Sequence, residues 1–155
     1  MSTMLSPHFS VEELTASATA KALNIDNTPT DIALNNLKRL ARSLEMVRDY
    51  LNAPLRISSG YRSPVLNVAV GGSKSSRHCD GLAADFTPKG WELSIAFATL
   101  TNCGALPYDQ LILERTKDGA AWIHLGLCHE DEKPRRQALN ALGTKGHMIY
   151  RTAAD

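Results

Sequence analysis

The sequence predicts an α+β fold in which helices pack on a small antiparallel sheet. Three observations point there. One long amphipathic helix comes early, and short strand-like runs with helical insertions follow it, so helix and strand are segregated rather than alternating. Two apolar runs, Gln110–Glu114 and Ala121–Leu127, flank Lys117-Asp118-Gly119, the turn chemistry of an antiparallel hairpin. The 155 residues suit one domain, 1–155, with a core of useful size.

The elements follow in order. Residues 1–9 read as a loose lead-in. Ser10-Val11-Glu12-Glu13 matches a capping box and opens a helix to about Leu23. Asn27 and Pro29 break the chain into a loop. From Asp31 to Leu51, the residues Leu34, Leu37, Leu40, Ala41, Leu44, Val47 and Leu51 recur at steps of three and four, the stripe of a core helix. Arg39, Arg42 and Arg48 then fall on its solvated side. Leu55–Ser59 is a short strand. Ser63-Pro64 caps a brief helix through about Val70, with proline at the first helical position. Ser73–Asp80 reads as polar loop, Leu82–Thr87 as a strand of small residues, and Trp91–Thr101 as a buried helix. Pro134–Leu142 reads as a last short helix, and the end beyond it as frayed.

Composition excludes several classes. The chain is 43% hydrophobic and 21% charged with a net charge of +1, which gives no field for nucleic acid. No apolar run is long enough to cross a bilayer, and Met1–Leu14 lacks the pattern of a secretory leader. Cys79, Cys103 and Cys128 are odd in number and follow no CxxC spacing, so they read as buried thiols rather than disulfides or metal ligands. His8, His129 and His147 read as solvated loop residues, and Trp91 and Trp122 as core or pocket wall. Lys133, Arg135, Arg136, Lys145 and Arg151 make a mildly basic, solvated tail.

The stretch Ser58–Phe86 concentrates the chemistry. It holds Arg62 on a turn, a Ser76-Arg77-His78 step, and Asp85 seven residues past that histidine. Trp122-Ile123-His124 adds a second histidine on a strand. Two histidines and one carboxylate make an open zinc site, because a catalytic zinc keeps three protein ligands and one position for water. A carboxylate in place of a third histidine acidifies that water less, so a separate general base matters more.

These segments resemble the LAS-type zinc peptidases, in particular the D-alanyl-D-alanine carboxypeptidase branch and its phage-encoded endolysin relatives. The likeness is carried by Ser59-Gly60-Tyr61-Arg62-Ser63, Asn67, Val70-Gly71-Gly72, Ser76-x-His78, Gly81, Ala83-Ala84-Asp85 and Trp122-Ile123-His124. The lead-in, with Phe9-Ser10 and Asn27-x-Pro29, also looks like small single-domain members. The likeness spans about residues 8–127 and leaves 128–155 as a charged C-terminal extension. It implies a hedgehog or D-Ala-D-Ala carboxypeptidase-like fold, and His78, Asp85 and His124 as ligands of Zn2+. It implies Arg62 as the residue that binds and polarises the scissile carbonyl, where a fixed guanidinium would stabilise the developing oxyanion. Ser76 reads either as a substrate-binding or loop-holding residue or as a local turn.

The general base departs from the pattern of these relatives, many of which carry an acid three residues before the last histidine. That position here is Ala121. Glu114, on the partner strand, is the nearest substitute, and hairpin register decides whether it reaches. A three-residue Lys117-Asp118-Gly119 loop sets Glu114 opposite Trp122, on the face of His124. A two-residue Asp118-Gly119 turn sets it opposite Ile123, on the wrong face. The Lys-Asp-Gly order suits the longer loop and favours Glu114.

The function expected from all this is hydrolysis of peptidoglycan stem peptides, at D-Ala-D-Ala or at L-Ala-D-Glu. The protein would be a monomer without nucleic-acid or membrane partners, made in a host cytoplasm and acting on the wall after release. The missing acid at position 121 motivates a second reading, a non-catalytic wall-binding or virion structural module that keeps the fold. A dipeptidase acting on small soluble peptides is a third.

Overall fold

A computed structural model describes residues 2–144 and 146–154; Lys145, one of the expected tail cations, lies outside them. The elements are α1 (Val11–Thr15), α2 (Ala18–Leu23), α3 (Asp31–Leu51), β1 (Leu55–Ser59), α4 (Pro64–Ala69), a 3₁₀ turn (Arg77–Asp80), β2 (Ala83–Pro88), α5 (Leu93–Thr101), β3 (Gln110–Thr116), β4 (Ala121–Gly126), β5 (Gln137–Thr144) and β6 (His147–Thr152). The strands form one six-stranded sheet in the order β1-β2-β4-β3-β5-β6.

The α+β class holds, but the sheet is mixed rather than antiparallel, because β5 runs parallel to β3. The last helix expected over Pro134–Leu142 is this strand instead. Ala138, Leu139, Ala141 and Leu142 mimic helical spacing in a helix-favouring composition. Pairing along the whole of β3 overrides that local preference. The end expected as frayed is strand β6, antiparallel to β5, and His147 lies on it rather than in a loop.

The expected first helix is two. Ser10 caps α1 and Ser17 caps α2, each hydroxyl accepting an N–H three residues on. The second cap, at Ser17, interrupts what the sequence reads as one continuous run. The lead-in is anchored by a Met4–Ser10 bridge and by Phe9, which is buried. Helix α3 has the expected bounds, with Thr30 as its N-cap and Asn52 closing it in the left-handed region. Its Leu37, Leu40, Ala41, Leu44, Val47 and Leu51 are buried in the core with Phe86, Phe97, Leu111 and Ile123. Helix α5 starts at Leu93, with Glu92 capping it. Trp91 lies before it and donates to the Leu51 carbonyl at 3.0 Å. Ile95, expected inside, is exposed.

Helices therefore cover one face of the sheet, the face of Leu111, Leu113, Ile123 and Leu125. On the opposite face, Ile112, Leu139 and Ala141 form a small apolar strip of their own. Two of the arginines expected in a solvated tail are tied down: Arg135 grips Asp109 through its Nε and Nη2, at 3.0 and 2.8 Å. Arg136 stacks on Tyr108 and donates to the Leu106 and Cys103 carbonyls. His8 contacts Glu45 at 2.8 Å, and His129 lies 3.5 Å from Asp80, so neither is merely solvated.

Candidate active site

Three elements bring the candidate ligands together. His78 sits in the 3₁₀ turn. Ser76 caps that turn, its Oγ accepting the His78 N–H at 3.2 Å, which is the local turn role. The Arg62 N–H donates to the His78 carbonyl at 3.0 Å. The His78 ring is oriented by its Nδ1, which lies 2.7 Å from the Gly60 carbonyl. That bond places the proton on Nδ1 and leaves Nε2 as a lone pair for a metal. Gly60 must be glycine, because a Cβ there would collide with the Leu14 carbonyl.

Asp85 and His124 are direct cross-strand partners on β2 and β4. The Asp85 Oδ1 lies 2.9 Å from His124 Nδ1 and 3.4 Å from His78 Nε2. The three ligand atoms lie within 4.8 Å of one another. A tetrahedral zinc with bonds of about 2.1 Å has ligand–ligand edges of about 3.4 Å. The donor set and its spacing therefore fit a metal ion without rearrangement. All three side chains are buried, and buried ionisable groups of this kind are paired or hold metal.

Burial and mutual pairing set the ionisation of the three groups. Burial opposes ionisation of Asp85, but the His78 and His124 rings override it and hold its pKa well below the ordinary range. Burial pushes His78 down, keeping it in the neutral, metal-binding form. Burial also pulls His124 down, but its closer bond to Asp85 wins and raises it.

Arg62 stands at the rim of this cluster. Its Nε donates to Ser59 Oγ at 3.3 Å, its Nη1 donates to Asn67 Oδ1 at 3.1 Å, and its Nη2 lies 3.8 Å from Asp85 Oδ2. Asn67 is buried and donates in turn to the Ser73 carbonyl. The guanidinium is thus fixed in direction beside the ligand set, which a flexible ammonium could not reproduce.

The hairpin after β3 settles the position of Glu114. Gly119 is left-handed (φ +97°), and the Thr116 N–H donates to the Ala120 carbonyl at 2.8 Å, closing the three-residue loop. Glu114 pairs with Trp122 and Ile112 with His124, so Glu114 shares the His124 face. Burial and then the negative charge of Asp85 push its pKa up to about 7. Ala121 alternates onto the face of Ile123 and Leu125, which belong to the core. An acid at 121 in this strand would therefore point away from the ligands.

Arg62, Ser76, Glu114 and Trp122 line one cleft together with the three ligands. The Trp122 indole N–H is buried with no acceptor among the described residues. Sequence reasoning missed the far wall of this cleft, which Gln137, Leu139, Met148 and Tyr150 supply. The usable signal was the period-two alternation of Leu139, Ala141 and Gly143, and of Met148, Tyr150 and Thr152, masked by the helix-like spacing of the leucines and alanines.

A cleft with a buried His-Asp-His set, a fixed arginine and a carboxyl group titrating near neutrality is built for hydrolysis. A family model described as Peptidase M15 matches residues 7–125, most of the chain, and the chain belongs to that family. Membership implies a metal-dependent hydrolase acting on a peptide substrate. No curated protein matches the chain in a comparison of sequences.

Proposed function

We propose that the protein is a zinc metallopeptidase that hydrolyses peptide bonds in bacterial peptidoglycan stems, as a D-Ala-D-Ala carboxypeptidase or an L-Ala-D-Glu endopeptidase of endolysin type. The observation that carries this reading is the placement of Glu114, a carboxyl group with a pKa of about 7, on the same sheet face as the His78-Asp85-His124 set. His78, Asp85 and His124 would hold zinc, which when bound supplies Lewis acidity toward water and a peptide carbonyl.

The chain's own residues divide the remaining work. Glu114 takes a proton from the attacking water and returns it to the departing amine, a task its place on the face of His124 allows. Arg62 binds the carbonyl oxygen that gains charge, its direction fixed by Ser59 and Asn67. Ser76 acts mainly by capping the His78 turn. The release route, from a host cytoplasm through a membrane lesion made by another protein, belongs to the same reading; no helix among the described residues is long and apolar enough to cross a membrane.

Mass spectrometry of muropeptides after incubation with the zinc-loaded protein tests the proposal. New amine and carboxyl ends at one of the two bonds, absent with Glu114→Gln, are the expected result. Zinc retained with no bond cut would instead favour the non-catalytic wall-binding module. Cleavage only of small soluble dipeptides would favour a dipeptidase.

A further inference from the structure

Strands β5 and β6 lie beyond the family match, which ends at residue 125, yet they build one wall of the cleft. Trp122, Glu114, Ala141 and Tyr150 pair in a single row across four strands. Side chains in such a row stand on one face of the sheet. Ala141 is the small, buried member of the row, between Glu114 and Tyr150. The two residues are two strands apart, about 9.5 Å between backbones, and both line the cleft in which a peptide chain would lie.

The phenol is placed to meet such a chain. Tyr150 lines the same cleft as Glu114 and Asp85 and remains 52% exposed. Its hydroxyl makes no hydrogen bond among the described residues. Partial burial, then the charges of Glu114 and Asp85, push its pKa up, so it stays a protonated donor. Beside it, Met148 packs on the strip of Ile112, Leu139 and Ala141. The wall thus offers one free donor next to an apolar floor.

We propose that Tyr150 is a substrate-contacting residue: its hydroxyl donates to an oxygen of the bound peptide on the β6 side of Glu114, and its ring with Met148 and Leu139 covers an apolar group of that peptide. The C-terminal hairpin is then a specificity wall for the reaction. This inference rests on the peptidase reading above.

The test uses the zinc-loaded protein and the synthetic stem pentapeptide L-Ala-γ-D-Glu-L-Lys-D-Ala-D-Ala. A neutral hydrogen bond to substrate, present before and during reaction, changes KM rather than kcat. Tyr150→Phe is expected to raise KM about 3- to 10-fold, with kcat, zinc content and melting temperature unchanged. Tyr150→Ala raises KM further through loss of the ring. Ile149→Ala, on the opposite face of β6, is the control and leaves KM alone. Calorimetry of the pentapeptide on zinc-loaded Glu114→Gln protein, with and without Tyr150→Phe, is expected to give the same ratio in Kd. An unchanged KM and Kd in the Phe variant overturns the role of Tyr150 while leaving the peptidase reading intact. A weakened Kd in a protein that cleaves nothing supports the contact and removes the peptidase reading instead.

Discussion

Glu114→Gln should cost activity and add stability, and the stability gain should depend on pH. The folded protein raises the Glu114 pKa from 4.5 to about 7. A rise of that size corresponds to about 3.4 kcal/mol at about 1.36 kcal/mol per pH unit. Residual solvent access along the cleft reduces this to about 2–3 kcal/mol. The sign follows from which form the fold prefers. Because the folded pKa is the higher one, folding favours the protonated acid. The contribution is present in full below about 4.5, declines as pH rises through 7, and is absent above it. Glutamine stays neutral and carries no such decline.

Metal-free wild type and Glu114→Gln should therefore melt within a degree or two of each other at pH 4.5, where the acid is protonated in the folded chain and about half protonated in the unfolded one. At pH 8 the variant should melt roughly 5–10 °C higher, since about 1 kcal/mol moves a chain of this size by about 2–4 °C. Differential scanning calorimetry across that range, with chelator present, measures it. In the same variant, turnover of a stem peptide should fall about 10²- to 10⁴-fold, the usual weight of a general base. Equal melting temperatures at every pH, or a variant less stable at pH 8, would refute the claim that a carboxylate is held there against its solvation.

Three further outcomes follow from the site. Asp85→Asn should lose zinc by elemental analysis and lose cleavage, and chelation of the wild type should abolish activity that added zinc restores, because Asp85 touches both candidate histidine ligands. Arg62→Lys should keep zinc yet lower kcat/KM about 10²- to 10³-fold, since an ammonium cannot hold the Ser59, Asn67 and Asp85 contacts at once; steady-state kinetics on the pentapeptide checks it. Gly60→Ala should cost about 1–3 kcal/mol in denaturant unfolding and also weaken zinc binding, because the segment after β1 that must move away from Leu14 carries the carbonyl that orients His78.

Much of the molecule was legible in short stretches of chain. The apolar stripe of α3, the Ser63-Pro64 opening of α4 and the limits of β1 came out at their observed positions, because each is encoded by residues within a few positions of one another. The register of Glu114 was legible for the same reason: Lys117-Asp118-Gly119 contains its own left-handed glycine, and a three-residue loop leaves the flanking strands no alternative pairing.

What the tertiary structure alone decided lies between distant segments. Ala138–Leu142 has helix-like spacing and composition, and it becomes a parallel strand only because β3 offers a complete ladder beside it, with Arg135 clamped on Asp109 at its start. That docking created the wall carrying Tyr150, whose period-two alternation is masked by the helix-like spacing of the leucines and alanines before it. The convergence of His78, Asp85 and His124 is likewise a matter of β2 lying against β4 and the 3₁₀ turn folding onto Gly60. Local sequence sets the period and the caps of an element; its neighbours are set by burial and hydrogen-bond pairing across the whole chain, and a candidate metal site drawn from three separate elements exists only at that second level.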